Sequence, residues 1–152
     1  SFAGSFSNTQ GTVWLEWFAR AVSDTKKMAL FEIWSASNFL SLFVQKGSLH
    51  LKSSNGTTNP EVSLDRTSRG GKLYKTAIAY KSSDNSLRLG HTGNALKEMT
   101  YTNTLGTGSY SMNLGTAAYS TNEVPFSGII KSIHYSNTAF ETQVLKSVTR
   151  PQ

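Results

Sequence analysis

Hydrophobic and polar residues alternate along most of the chain with a period of two, which is typical of β-strands that bury one face. In the segment "GTVWLEWFAR" (11–20), one face carries Val13, Leu15, Trp17 and Ala19. We interpret these four side chains as a core face. The pattern predicts strands at about 12–22 and at 28–34, 39–45, 48–53, 73–81, 86–90, 109–115 and 126–136.

The remaining segments are weaker strand candidates or loops. Residues 54–72 are mostly polar, with only Val62 and Leu64 as a possible short strand, and residues 91–110 contain one weak strand near "EMTYT". A single helix is predicted near the end of the chain. Asn137 or Thr138 can cap it, and apolar residues follow at helical spacing at Phe140, Val144, Leu145 and Val148.

Many short strands joined by polar turns predict an all-β sandwich or barrel. The length of 152 residues fits a single domain. The chain has no Cys, so disulfides and thiolate metal sites are excluded. It has no apolar run of the roughly 18 residues that a membrane span needs, so we expect no membrane insertion. It begins at Ser1 without an initiator Met, and we expect it to be part of a longer polypeptide.

The charge balance favours anionic partners only weakly. Fifteen Lys and Arg against nine Asp and Glu give a formal net charge of +6, which suits nucleic acid or acidic polysaccharide. The basic residues are scattered, however, with only Lys26 and Lys27 adjacent. This distribution favours an ordinary polar surface.

The sequence argues against catalysis and against a metal site. A glycosidase needs two carboxylates about 5–9.5 Å apart, yet Glu16 and Glu32 each stand alone on a strand, and Glu98, Asp65 and Asp84 are placed in polar turns. The three His residues lack metal-ligand spacing. Asp65 and Asp84 lie in loops that can hold Ca²⁺ through backbone carbonyls, but turn formation explains them equally well. We therefore predict no catalytic residue and no bound metal.

The outer face of the first strand is unusual because it carries large aromatic side chains. Trp14 and Phe18 flank Glu16, and Arg20 follows. A carboxylate between the rings disfavours nucleic acid, whose phosphates it would repel. Exposed rings beside amides and hydroxyls suit sugars, because a ring covers the apolar face of a pyranose. The sequence therefore suggests carbohydrate-binding candidates at Trp14, Glu16, Phe18, Trp34, Tyr101, Tyr110 and Tyr119.

The order of several motifs resembles a known family. "FSNTQGTVWLEWFA" (6–19) is similar to the first strand of the laminin-G-like, concanavalin A-like domains of bacteriophage tail fibres and tailspikes. "YKTAIAYKSSDNSLRLGHTGN" (74–94) resembles their central hairpin and "SMNLGT" (111–116) their Leu-x-Gly strand. The closing signature is matched by "FSGIIKSIHYSNTAFETQVLKSVT" (126–149). Two departures concern register: Tyr135-Ser136-Asn137 replaces the Tyr-Pro of many relatives, and the hairpin Asn-Gly is displaced to "HTGN".

The resemblance implies a two-sheet antiparallel jelly-roll sandwich with one short C-terminal helix, formed by residues 1–152 as the C-terminal part of a fibre or spike protein. Such domains are non-catalytic, need no cofactor, and face outward on the virion. They bind host lipopolysaccharide or capsule, or they stabilise a homotrimer, while any depolymerase site lies in another domain. Both roles stay open for the first strand, as a subunit contact through Trp14, Glu16, Phe18 and Arg20 or as a shallow sugar platform.

Overall fold

The computed structural model describes residues 6–21, 25–35, 38–64, 69–101, 110–116 and 123–151. These residues form ten strands, one short α-helix and a single turn of 3-10 helix at Ser82–Asp84. The described part of the chain contains no helix long and apolar enough to cross a membrane. The elements are β1 (Gln10–Ala19), β2 (Met28–Ser35), β3 (Asn38–Gln45), β4 (Ser48–Asn55), β5 (Glu61–Leu64), β6 (Leu73–Lys81), β7 (Ser86–His91), β8 (Lys97–Thr100), β9 (Ser111–Leu114), β10 (Gly128–Ser136) and α1 (Thr142–Val148).

The strands form two five-stranded antiparallel sheets. Sheet 1 has the order β10-β1-β6-β7-β8, and sheet 2 has the order β5-β4-β3-β2-β9. The first and last strands are neighbours in sheet 1, and β5 approaches β8 where the two sheets meet along one side. The predicted all-β, two-sheet architecture with a short C-terminal helix is confirmed.

The core lies between the inner faces of the sheets. Val13, Leu15, Trp17 and Ala19 are all buried there, as the alternation in β1 predicts. Both sheets add aliphatic and aromatic side chains that interdigitate in one cluster. Other members of this cluster include Leu30, Phe31, Ile33, Leu40, Leu42, Leu49, Leu51, Ile78, Leu87 and Leu89.

Several predicted boundaries differ from those of the structure. β1 spans Gln10–Ala19 and not 12–22: it starts two residues earlier, and the chain bends at Arg20, while residue 22 lies outside the described ranges. The possible short strand at Val62 and Leu64 exists as β5. β10 begins at Gly128, where the backbones are so close that a Cβ at this position would overlap the Phe18 carbonyl oxygen.

The helix starts later than predicted. α1 begins at Thr142 with Glu141 as its N-cap, so the prediction of Asn137 or Thr138 as the cap is wrong. Thr12 explains the difference: its Oγ1 donates to the Thr138 carbonyl and accepts from the Phe140 amide, each at 2.8 Å. These bonds attach the segment before the helix to β1.

α1 packs on the outer face of sheet 1. Leu145 is fully buried against Ala77 and Ala79, two small side chains of β6. On β7, a Cβ at Gly90 would lie 3.4 Å from the Thr149 Cγ2. Small residues in the sheet therefore make room for the helix.

Candidate functional site

β1 lies between β10 and β6 in sheet 1, and its outer face carries the first group of candidate residues. Glu16, Trp14 and Phe18 each belong to a row of paired residues that runs across β10, β1 and β6. The rows are His134–Trp14–Ala77, Ser132–Glu16–Lys75 and Ile129–Phe18–Leu73. Arg20 is exposed just beyond the end of β1. The structure thus brings together the four residues that the sequence proposes for a subunit contact.

Trp14 packs against its own chain. Its ring stacks on His134 with a centroid distance of 5.1 Å and lies 5.0 Å from the tilted Phe140 ring. The same cluster includes Leu145, so the indole helps to seat α1 on the sheet. This intramolecular role was not foreseen from the sequence, and it leaves less of the indole available to a ligand.

Glu16 is paired within the chain, and a groove lies beside it. The Lys131 Nζ donates to Glu16 Oε1 at 3.3 Å, on the exposed side of the sheet. A β-bulge in the pairing of β1 with β10, between Glu16 and Trp17, places Lys131 within reach. The groove has a volume of about 260 Å³ and is lined by Trp14, Leu15, Glu16, Lys75, Ser132, His134 and Val148.

Phe18 is the middle member of a row of exposed apolar side chains. The ring is half-buried, and its neighbours Leu73 and Ile129 are 43% and 54% exposed. No described element covers this row, which we call the apolar row (Phe18, Leu73 and Ile129). Contiguous exposed apolar side chains are typical of contact surfaces.

The expectation of exposed tyrosine rings is wrong for two of the three candidates. Tyr101 and Tyr110 are both buried, and Phe6 packs on Tyr110 with a centroid distance of 4.7 Å. Burial raises the pKa of Tyr101 to about 12 and also raises the pKa of Tyr110. Tyr101 has the parity of Met99, whose neighbour across the strands is the core residue Leu87, so the period of two could have placed it inside. Tyr119 lies outside the described residues.

Trp34 lies on the other side of the molecule, on the outer face of sheet 2. It is half-buried and pairs with Phe39 of β3 and Ser111 of β9. Trp34 and Trp14 therefore belong to opposite faces of the sandwich and cannot contribute to one binding site.

A row of polar side chains crosses sheet 2 next to Trp34. We call it the polar row, and strand pairing defines it as Asn113, Glu32, Ser41, Lys52 and Glu61. Glu32 is only 1% exposed and Ser41 is also buried. Asn113 and Lys52 are half-buried and Glu61 is exposed. The row thus has a buried polar floor in the middle and accessible groups towards its ends.

Aromatic side chains line the opposite side of the polar row. The Phe43 ring stacks on His50 with a centroid distance of 4.9 Å and an interplanar angle of 3°. The Lys27 Nζ lies 4.9 Å from the Phe43 centroid, and His50 Nδ1 is 2.7 Å from Glu61 Oε1. The polar row is therefore bordered by Trp34 and Phe39 on one side and by Phe43 and His50 on the other.

The strand pattern of the sequence contains a signal for the polar row. Three consecutive strands carry polar residues of outward parity, namely Glu32 in "MALFEIW", Ser41 in "FLSLFVQ", and His50 and Lys52 in "SLHLKS". Alternation shows that each one points outward. Only the pairing register shows that Glu32, Ser41 and Lys52 are adjacent.

The described residues provide no metal site and no suitable pair of carboxylates on the polar row. No group of three His, Asp or Glu residues in the described ranges could hold a metal ion. Asp84 pairs with Lys81 at 3.0 Å, and Asp65 lies outside these ranges.

Glu98 lies on β8, not in a turn, and pairs with Arg88 at 3.4 Å. Glu32 and Glu61 are three strand spacings apart, about 14 Å, which exceeds the separation used for glycoside hydrolysis.

Comparisons with known proteins identify the fold. No family model matches the sequence, and no curated protein matches it. The structure is similar to the CBM40 domain of Ruminococcus gnavus IT-sialidase bound to alpha2,3 sialyllactose, with a TM-score of 0.73, 15% identity, and coverage of 94% of this chain and 83% of that one.

Two further structures share the fold. Leech intramolecular trans-sialidase gives a TM-score of 0.72 at 17% identity and covers 94% of this chain, which matches 23% of the enzyme chain. Mouse laminin alpha1 domains LG4-5 give a TM-score of 0.71 at 16% identity, with coverage of 89% and 37%. The chain has the jelly-roll fold of concanavalin A-like lectin and laminin LG domains.

Proposed function

We propose that this domain recognises carbohydrate without catalysing a reaction, and that the ligand binds to the outer face of sheet 2. The observation that carries the proposal is the polar row between two aromatic borders. The fold similarity to a CBM40 domain with bound sialyllactose supports the choice of ligand class.

The chemistry of the polar row suits a sugar. Lys52 can donate hydrogen bonds to hydroxyl groups, Glu61 can accept them, and the Asn113 amide can do both. Trp34 and Phe39 supply apolar surface for the C–H face of a pyranose. Glu32 and Ser41 are buried between these groups and form the polar floor of the surface.

The non-catalytic character rests on the geometry of the acids. Glu32 and Glu61 are too far apart to act together on one glycosidic bond, and Lys52 lies between them on the row. The CBM40 domain to which the chain is similar is itself a carbohydrate-binding module.

The parent protein in this proposal is a phage tail fibre or tailspike. Its basis is the order of the four sequence motifs that resemble phage laminin-G-like domains. The ligand is then a host surface polysaccharide, lipopolysaccharide or capsule, and the domain faces outward on the virion.

Glycan-array binding tests the site. We expect Trp34→Ala and Lys52→Ala each to weaken binding to the recognised glycan by about tenfold, because each removes a central contact from the surface. Phe18→Ala is the matched control, since it removes a half-buried ring from the opposite outer face. Thermal unfolding of each variant shows whether it is folded.

The outcomes separate the two faces. Loss of binding only in Phe18→Ala would move the site to sheet 1, and no binding of the wild-type domain to any host glycan would overturn the proposed function. Loss in the sheet 2 variants alone supports it.

A second candidate function is stabilisation of a homotrimer, as a capping domain of the fibre or spike. The exposed apolar row on sheet 1 favours it, and the occupant is a further copy of this chain. The two functions are compatible because they use opposite faces of the sandwich.

A further inference from the structure

We propose a second binding surface on sheet 1, around the C-terminal end of α1, that takes a segment of an acidic carbohydrate chain. This inference rests on the proposed function only for the ligand class, since it concerns the opposite face. We call the surface the basic groove.

The basic groove consists of three connected depressions. The first is the groove of about 260 Å³ beside Glu16 and Lys75. Lys75 also lines a depression of about 160 Å³ with Leu73, Thr92 and Pro151. Pro151 in turn lines a third depression of about 340 Å³. Shared lining residues therefore join the three into one elongated surface.

The charges along this surface are predominantly positive. Lys75 lines the first two depressions, and Lys146 and Arg150 line the third. None of these three cations forms an ion pair with a carboxylate in the described ranges. Glu16, the one described acid in the lining, is already paired with Lys131. Helix polarity favours Lys146 at the end of α1, but it does not explain Lys75 on the sheet.

The shape and lining favour an extended polar chain. The depressions are open to solvent and follow one another along the surface, whereas compact small-molecule sites are enclosed. Hydroxyl and amide groups of Ser132, Thr92 and Asn94 lie among the cations. At Gly93, φ is +79° and the space that a Cβ would occupy is open, so a ligand can approach the turn closely.

Acidic carbohydrate fits these features better than the other common polyanions. Sugar rings offer many hydroxyls to polar side chains and C–H faces to the apolar groups between the cations, such as Leu73 and Val148. Binding of single-stranded nucleic acid relies on aromatic rings that stack on the bases, and the described linings of the second and third depressions contain no Trp, Tyr or Phe.

Titration calorimetry with oligogalacturonate, a carboxylated probe, tests the proposal against maltohexaose, a neutral sugar. We expect Lys75→Gln and Arg150→Gln each to weaken oligogalacturonate binding by about three- to tenfold, because each removes one charge-assisted contact. Added salt should also weaken the binding. Lys46→Gln is the control: it removes one exposed positive charge from the β3–β4 turn in sheet 2.

The results distinguish this surface from that on sheet 2. If Trp34→Ala abolishes oligogalacturonate binding and Lys75→Gln does not, the basic groove is not the site although the proposed function stands. Equal binding of oligoglutamate would show nonspecific charge attraction and overturn the inference. Absence of oligogalacturonate binding by the wild-type domain would also overturn it, without affecting glycans bound through Trp34.

Discussion

At the scale of single residues, tyrosine hydroxyl groups attach the segment before β1 to sheet 1. Tyr80 donates a hydrogen bond from its hydroxyl to the Ser7 carbonyl, and the Ser7 amide donates to the Tyr135 hydroxyl at 2.7 Å. Phe6 packs on both tyrosines, with centroid distances of 6.2 and 5.7 Å. The chain before β1 is thus fixed to sheet 1 by aromatic contacts and hydrogen bonds. Burial raises the pKa of Tyr80 above its ordinary value.

The stability of the domain should fall at alkaline pH because Tyr101 is buried in the core. Burial raises the pKa of Tyr101 from 10.0 to about 12, so the folded state keeps its proton where the unfolded state has lost it. The contribution is complete below about pH 10 and is lost as pH rises to about 12, on the order of 2 kcal/mol. Urea unfolding at a series of pH values measures the decline.

Tyr101→Phe is the control for this prediction. It removes the ionisable hydroxyl and keeps the ring, so the free energy of unfolding should fall less steeply above about pH 10. A decline as steep as that of the wild type would show that Tyr101 does not contribute.

At the scale of elements, α1 depends on its contacts with sheet 1. It has seven residues, and its N-cap makes no side-chain hydrogen bond. Isolated helices this short are unstable in water. The buried Leu145 side chain, with Trp14 and Phe140 beside it, therefore holds the helix in place.

Truncation of neighbouring helix residues tests this dependence. Leu145→Ala should lower the free energy of unfolding by about 2–3 kcal/mol, because it leaves a cavity against Ala77 and Ala79. Val144→Ala, at the exposed adjacent position, should change it by less than about 0.5 kcal/mol. Chemical denaturation of both variants measures the difference, and equal effects would contradict the packing described for α1.

The strands were predictable from sequence because each alternates locally. The core face of β1 and the hairpins around β3 and β4 needed no distant information. The start of α1 did: Thr12, more than 120 residues away, bonds the Thr138–Phe140 backbone and excludes it from the helix. Local capping signals cannot contain that contact.

The candidate site was predictable only in part for the same reason. Trp14, Glu16 and Phe18 share a face because they lie on one strand at a spacing of two. The polar row joins residues from five strands, so its existence depends on the pairing register of a whole sheet. The burial of Tyr101 was within reach of the local rule, because Tyr101 follows Met99 at a spacing of two and Met99 pairs with the core residue Leu87.

At the scale of the whole molecule, the two outer faces differ in character. Sheet 2 presents polar groups between aromatic borders, which suits a hydrated ligand. Sheet 1 carries α1 on one half and the apolar row on the other. A ligand on sheet 2 and assembly through the apolar row therefore do not compete for the same surface, whereas the basic groove shares Leu73 with the apolar row.

The apolar row leads to a prediction about assembly. In a trimer with threefold symmetry, one surface meets its own copies only around the axis, so Phe18, Leu73 and Ile129 would lie there. Three side chains supply far less than the roughly 800 Å² per partner of a stable interface. Association of the isolated domain should therefore be weak and concentration-dependent, and it should strengthen with salt because each copy carries a net charge of +6.

Sedimentation equilibrium of matched variants decides whether this row is the contact. Ile129→Lys should yield monomers at concentrations where the wild type associates, because it places a charge within the contact. Leu114→Lys adds the same charge at an equally exposed apolar position of sheet 2 and should associate like the wild type. If both variants associate equally, or if the wild type is monomeric at every concentration and salt level, trimerisation through this face is excluded. The salt response separates the two surfaces of sheet 1, since salt should strengthen contact through the apolar row and weaken ligand binding in the basic groove.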